Sequence, residues 1–178
     1  MSTILPAPLW RRLVAGVYDG LLLIGIWMAG SLVEVIVRDQ LLGLPKNDTW
    51  LQVYFFVLGL AFFGWFWVRG GQTLGMRAWR LQLRRLDGAG LRWTLVPLRF
   101  TVMLGTWFAA CSSLALIVPR YRESTYAHEI VVVATLAALG CAVLILVDAR
   151  RRAYCDLVAG TEVVVLPRKD AVAATVET

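Results

Sequence analysis

Four stretches of this chain, residues 13–37, 50–68, 95–118 and 130–147, are each long and apolar enough to cross a bilayer. A hydrocarbon core about 30 Å thick takes roughly 20 apolar residues to span as a helix. It offers no water to backbone N–H and C=O groups, so a crossing segment must satisfy them internally, as a helix does. The second and fourth stretches contain no Asp, Glu, Lys or Arg, while the first and third carry charges near their ends. With 59% hydrophobic residues and eight Trp in 178, the chain is also too apolar for a soluble core of this size. The expected fold is an all-α membrane protein of four transmembrane helices. Because Asp19 stands at the entrance to the uncharged run 20–33 and no small-x-small exit follows it, the first stretch reads as a retained span, not a cleaved leader.

The net charge of +6 is distributed by loop. Fourteen of the eighteen Lys and Arg residues lie at the N-terminus, between the second and third spans, at the entry of the third, or after the fourth. The other two connections hold only Arg38, Lys46, Arg120 and Arg122, offset by Asp39, Asp48, Glu123 and Glu129. This alternation predicts both termini and the central loop on the cytoplasmic side of the membrane. It also accounts for the basic pI without nucleic acid as a partner.

In the central loop, "WRLQLRRLDGAGLRW", Trp79, Leu81 and Leu83 alternate with Arg80, Gln82 and Arg84, the period of a half-buried strand. Asp87-Gly88 is a turn signal, after which Leu91 and Trp93 resume an apolar pattern. A small cytoplasmic β-hairpin is expected, with a short C-terminal strand at 160–167 as its third member, since a lone hairpin is marginal. An amphipathic interfacial helix over 77–85 is the competing reading. Arg77, Arg80, Arg84, Arg85 and Arg92 would present a basic surface to anionic lipid headgroups or a partner protein. A single domain spans 1–168, and 169–178 is a flexible tail.

The first span opens on "RRLVAGVYDG". Arg12 and Asp19 are two helical turns apart and share a face with Gly16, Leu23, Ile26, Gly30 and Glu34. An aspartate inside a membrane is costly unless it faces the bundle and meets a partner. The expected partners are Arg12 or Arg99, with Gly16 and Gly20 letting another backbone approach. Asp148 lies at a similar depth and Asp156 just outside, so arginines and carboxylates from several elements form an ionic latch at the cytoplasmic face.

Together these elements resemble the RDD family of bacterial membrane proteins: "RLVAGVYD", the Gly-x-Thr-x-Gly segment "GQTLGMR", the turn "RRLDGAGL", "LR" at Leu98 and Arg99, and "DLVAGTEVVV". The resemblance covers nearly the whole chain. It implies that Arg12, Asp19 and Asp156 are the eponymous Arg and two Asp, and that the activity is transport of an unknown ligand or cation/proton antiport. Cys155 stands where the family often has His.

Catalysis is not expected. The chain has no Gly-x-Ser-x-Gly, no His-Glu-x-x-His and no P-loop. Its single histidine, His128, has no Cys or second His beside it, and the three cysteines lack metal-ligand spacing. No cofactor is implied. The expected function is an accessory or interaction subunit of a larger membrane transport complex, associating with another membrane protein or with itself; the alternative is a small oligomeric transporter.

Overall fold

The structure is a computed structural model that describes residues 5–43, 48–112 and 125–167. The expected flexible tail, Lys46, His128, and the loop carrying Arg120 and Arg122 fall outside the described residues or side chains.

Helix α1 (Leu9–Val35) continues through a π-helical turn, Ile36–Leu41, so the first span runs unbroken from Leu9 to Leu41. At 1.5 Å per residue it is about 50 Å long, longer than a bilayer core of about 30 Å. At the far end Arg38 donates to Glu34 at 2.6 Å and pairs with Asp39 at 3.0 Å. Helix α2 (Asp48–Gly70) returns, a short helix α3 (Leu74–Ala78) follows, and strand β2 (Leu81–Arg85) leads through a 3-10 turn, Trp93–Leu95, into α4 (Val96–Ser112). Helix α5 (Thr125–Val147), the short α6 (Tyr154–Val158) and strand β3 (Thr161–Val165) complete the order, with strand β1 (Leu5–Pro6) ahead of α1. Four helices are long and apolar enough to cross a membrane, as the sequence predicts.

The helices meet through small residues opposite large ones. Gly30 of α1 faces Leu58 and Tyr54 of α2, and Gly59 of α2 faces Phe100 of α4. Trp27 Nε1 donates to the Phe55 carbonyl at 3.0 Å and the Tyr54 hydroxyl to the Gly30 carbonyl at 3.2 Å. The core continues from Phe63, Trp67, Val96 and Phe100 directly into the sheet through Leu81, Leu83 and Val163.

Sheet and bundle therefore share one core, which fixes the sheet at one end of the helices. Strand order is β1-β3-β2, all antiparallel, with Leu81 opposite Val165 and Arg85 opposite Thr161. Two of the expected strands form, over Leu81–Arg85 and Thr161–Val165, but they pair with each other and the third strand is Leu5–Pro6, not a return arm of a local hairpin. The Asp87-Gly88 turn forms, Gly88 N donating to the Arg85 carbonyl at 2.9 Å, yet no strand follows it. The reason is that both edges of β2 are taken. One pairs with β3; the other receives Gly71, whose carbonyl accepts from Leu83 N at 2.7 Å, and Gln72, whose Nε2 donates to the Leu81 carbonyl at 2.7 Å. Gly71 has φ of +63°, and a Cβ there would strike the Leu83 carbonyl, so glycine is required. The β-branched run Val163-Val164-Val165 suits the central strand, where Val163 and Val164 are both buried.

Candidate functional site

The sheet end of the bundle holds two buried aspartates, and they form two separate networks. Asp156, fully buried, lies in the first turn of α6, where its Oδ2 accepts from the Ala153 N–H at 3.0 Å. The same oxygen accepts from Arg12 Nη1 at 2.7 Å, and Oδ1 accepts from Arg99 Nη1. Arg99 is 3% exposed; its Nη1 also donates to Thr161 Oγ1 at 2.6 Å, and its guanidinium lies 5.0 Å from the centroid of the Trp67 ring. One carboxylate thus ties α1, α4, α6 and β3 together. Burial disfavours its ionised form, but the guanidinium groups of Arg99 and Arg12 and the Ala153 N–H outweigh that, and the carboxyl is held below its ordinary value of 3.8.

Asp19 is also buried but meets neither arginine. Its Oδ2 accepts from Thr73 Oγ1 and its Oδ1 from the Gly75 N–H at 2.9 Å. Thr73 is the N-cap of α3, and its hydroxyl oxygen accepts from Met76 N at 3.2 Å. The carboxylate from α1 therefore supplies the acceptor that the first turn of α3 lacks within its own segment. Gly75 permits this approach, because a Cβ there would collide with the Ala15 carbonyl and the Asp19 side chain. The Gly-x-Thr-x-Gly segment is accordingly a docking element: Gly71 meets β2, Thr73 caps α3, and Gly75 meets α1.

These contacts correct several expectations. Arg12 and Arg99 were the expected partners of Asp19, but both bind Asp156, because α6 carries its carboxylate between them. Asp148 does not join the latch. It pairs with Arg152 four residues on, at 2.9 and 3.0 Å, and accepts from the Arg150 and Arg152 N–H groups, closing the turn after α5. The Arg152 side chain, then its N–H, holds the Asp148 carboxyl well below the usual range, against the cost of burial. Gly16 and Gly20 do not admit a second backbone; the face they open is filled by the Trp107 ring of α4. The basic set divides as well. Arg84 pairs with Glu162 at 2.7 Å and Arg85 with Asp87 at 2.8 Å, whereas Arg77, Arg80 and Arg92 are exposed.

Cys155 and Cys141 are buried free thiols, and burial raises the Cys155 thiol above its ordinary value. Among the described residues no group of His, Cys, Asp and Glu is arranged to hold a metal ion. Sequence reasoning passed over Thr73, Thr161 and Trp67 as site residues. The signal for the first two lay in the quoted segments "GQTLG" and "AGT", each a threonine within two residues of a glycine; Trp67 carried no signal beyond its place on an apolar helix.

No curated protein and no solved structure matches this chain. The RDD family profile matches residues 6–160, which take in Arg12, Asp19 and Asp156. With four helices long and apolar enough to cross a membrane and that match over most of its length, the chain belongs to the RDD family.

Proposed function

We propose that this protein is a non-catalytic accessory or interaction subunit of a larger membrane transport complex, with the sheet end and both termini on the cytoplasmic side of a bacterial inner membrane. The observation that carries the reading is how the acids within the spans are used. Asp19 is committed to Thr73 and Gly75, and the arginine at the entry of α4 to Asp156, both at the sheet end; Glu34 is paired with Arg38 at the other. A transport route usually calls on ionisable groups near mid-depth, and α1 carries none between Asp19 and Glu34. Exposed Arg77, Arg80 and Arg92 lie beside the sheet, where each arginine near an anionic leaflet contributes about 1 kcal/mol.

Purification at native abundance in mild detergent, with mass determination of the particle, tests this. A second membrane protein at fixed stoichiometry is expected. A particle built only of this chain that carries ion flux in proteoliposomes, lost in Asp19→Asn, would overturn it in favour of a small oligomeric transporter. One observation favours that second reading: Asp19 is a buried acid held by uncharged donors, with no ion pair among the described residues.

A further inference from the structure

Around Asp156 two guanidinium groups share one carboxylate, so the cluster keeps an excess positive charge inside the fold. The excess is localised on Arg12. Only its Nη1 is used, on Asp156; its Nε and Nη2 are buried and donate to no acceptor among the described residues. These two groups form the side edge of the guanidinium, whose parallel N–H bonds match a pair of oxygens on one carboxylate or phosphate. Other buried donors nearby are equally without acceptors: Arg99 Nε, and Nε1 of Trp67, 1% exposed, over whose ring Arg99 lies. Acidic groups that might have answered them are spent elsewhere, Asp19 on α3 and Asp148 on Arg152. Arg12 lies three residues into α1, whose first turn has no acidic residue and no side-chain cap, so the positive end of that helix dipole adds to the same field. Its side chain is 11% exposed, against 4% for Arg99, so Arg12 lies nearer the surface of the two, with Nε and Nη2 themselves covered.

We propose that the unpartnered Nε/Nη2 edge of Arg12 binds a phosphate group, with the excess charge of the Arg12–Arg99–Asp156 cluster holding it. Phosphate fits better than a halide because two parallel donors select paired oxygens, and better than a carboxylate because the site lies at the membrane level where phosphodiester headgroups are abundant. The inference goes beyond the subunit reading and does not depend on it. The phosphate has two chemical sources, a lipid headgroup or a free inorganic anion.

The test compares wild type with Arg12→Lys, which keeps a cation for Asp156 but has no fork, and with the triple variant Arg77→Gln/Arg80→Gln/Arg92→Gln, which keeps the site. Thermal unfolding in detergent is followed with inorganic phosphate against chloride at equal ionic strength. Native mass spectrometry then follows release from nanodiscs of phosphatidylglycerol or phosphatidylcholine. Phosphate-dependent stabilisation that is at least about tenfold weaker in Arg12→Lys and unchanged in the triple variant supports a free-anion source. No effect of inorganic phosphate, but one phosphatidylglycerol retained by wild type and lost in Arg12→Lys, supports a headgroup. Binding that survives Arg12→Lys, binding lost only in the triple variant, or no binding in either arm overturns the proposal. If Arg12→Lys does not accumulate, arginine Nε–H resonances of the wild type decide: one displaced on phosphate titration and retained in the triple variant supports the site, and none displaced overturns it.

Discussion

Asp19 and Asp156 are the same residue type, buried at the same end of the molecule, yet one is answered by hydroxyl and amide and the other by two guanidinium groups. Their substitutions therefore have different consequences. Asp156→Asn leaves two buried arginines without a counter-charge and is expected to destabilise by about 3–5 kcal/mol, the usual penalty for half of a buried ion pair. Thermal unfolding in detergent measures it. Because the Asp156 carboxyl is held below its ordinary value, its contribution is complete above pH 3.8 and is lost as pH falls through the folded-state value. The unfolding temperature of wild type is expected to fall in acid, and Asp156→Asn to lack that component. Asp19→Ala removes the acceptor for two buried donors, at about 1–3 kcal/mol each, and is expected to lower the yield of folded protein. Normal abundance with complete loss of a transport activity would contradict this. That Asp19 and Arg99 would be buried was legible in the sequence, since an acid or base in an apolar run is conspicuous. Which pairs with which was not: Arg12 and Asp156 are 144 positions apart, and only the fold brings them together.

At the scale of elements, the four helices and the alternating strand were readable because apolar length and period-2 patterning are local properties. The partner of β2 was not, since the Asp87-Gly88 turn is equally compatible with a hairpin or a plain corner. Occupancy of the second edge of β2 by Gly71 and Gln72, a contact made by the end of a different helix, decided it. The docking of α3 on α1 gives a sharp contrast between glycines. Gly75→Ala is expected to cost stability by forcing α3 off the Ala15 carbonyl and Asp19, whereas Gly25→Ala, with open space around its Cβ, is expected to be neutral or mildly stabilising. Parallel melting curves of the two variants check this.

For the whole molecule, the topology proposed above puts the sheet end in the cytoplasm, and thiol labelling tests it. In a Cys111→Ser background, a cysteine at Arg77 is expected to resist a membrane-impermeant thiol reagent added outside intact cells, and one at Gln40 to react; the reverse labelling would invert the topology. The order β1-β3-β2 bears on biogenesis. Both outer strands precede the central one in the chain, so neither has its main partner until residues 161–165 are made. Arg12 and Arg99 likewise precede Asp156, the carboxylate that joins them. Synthesis thus delivers the strand and the counter-ion that lock the assembly last. A nascent chain stopped short of them retains membrane-soluble helices but no closed sheet, and such an end is open to proteolysis until the final segment arrives.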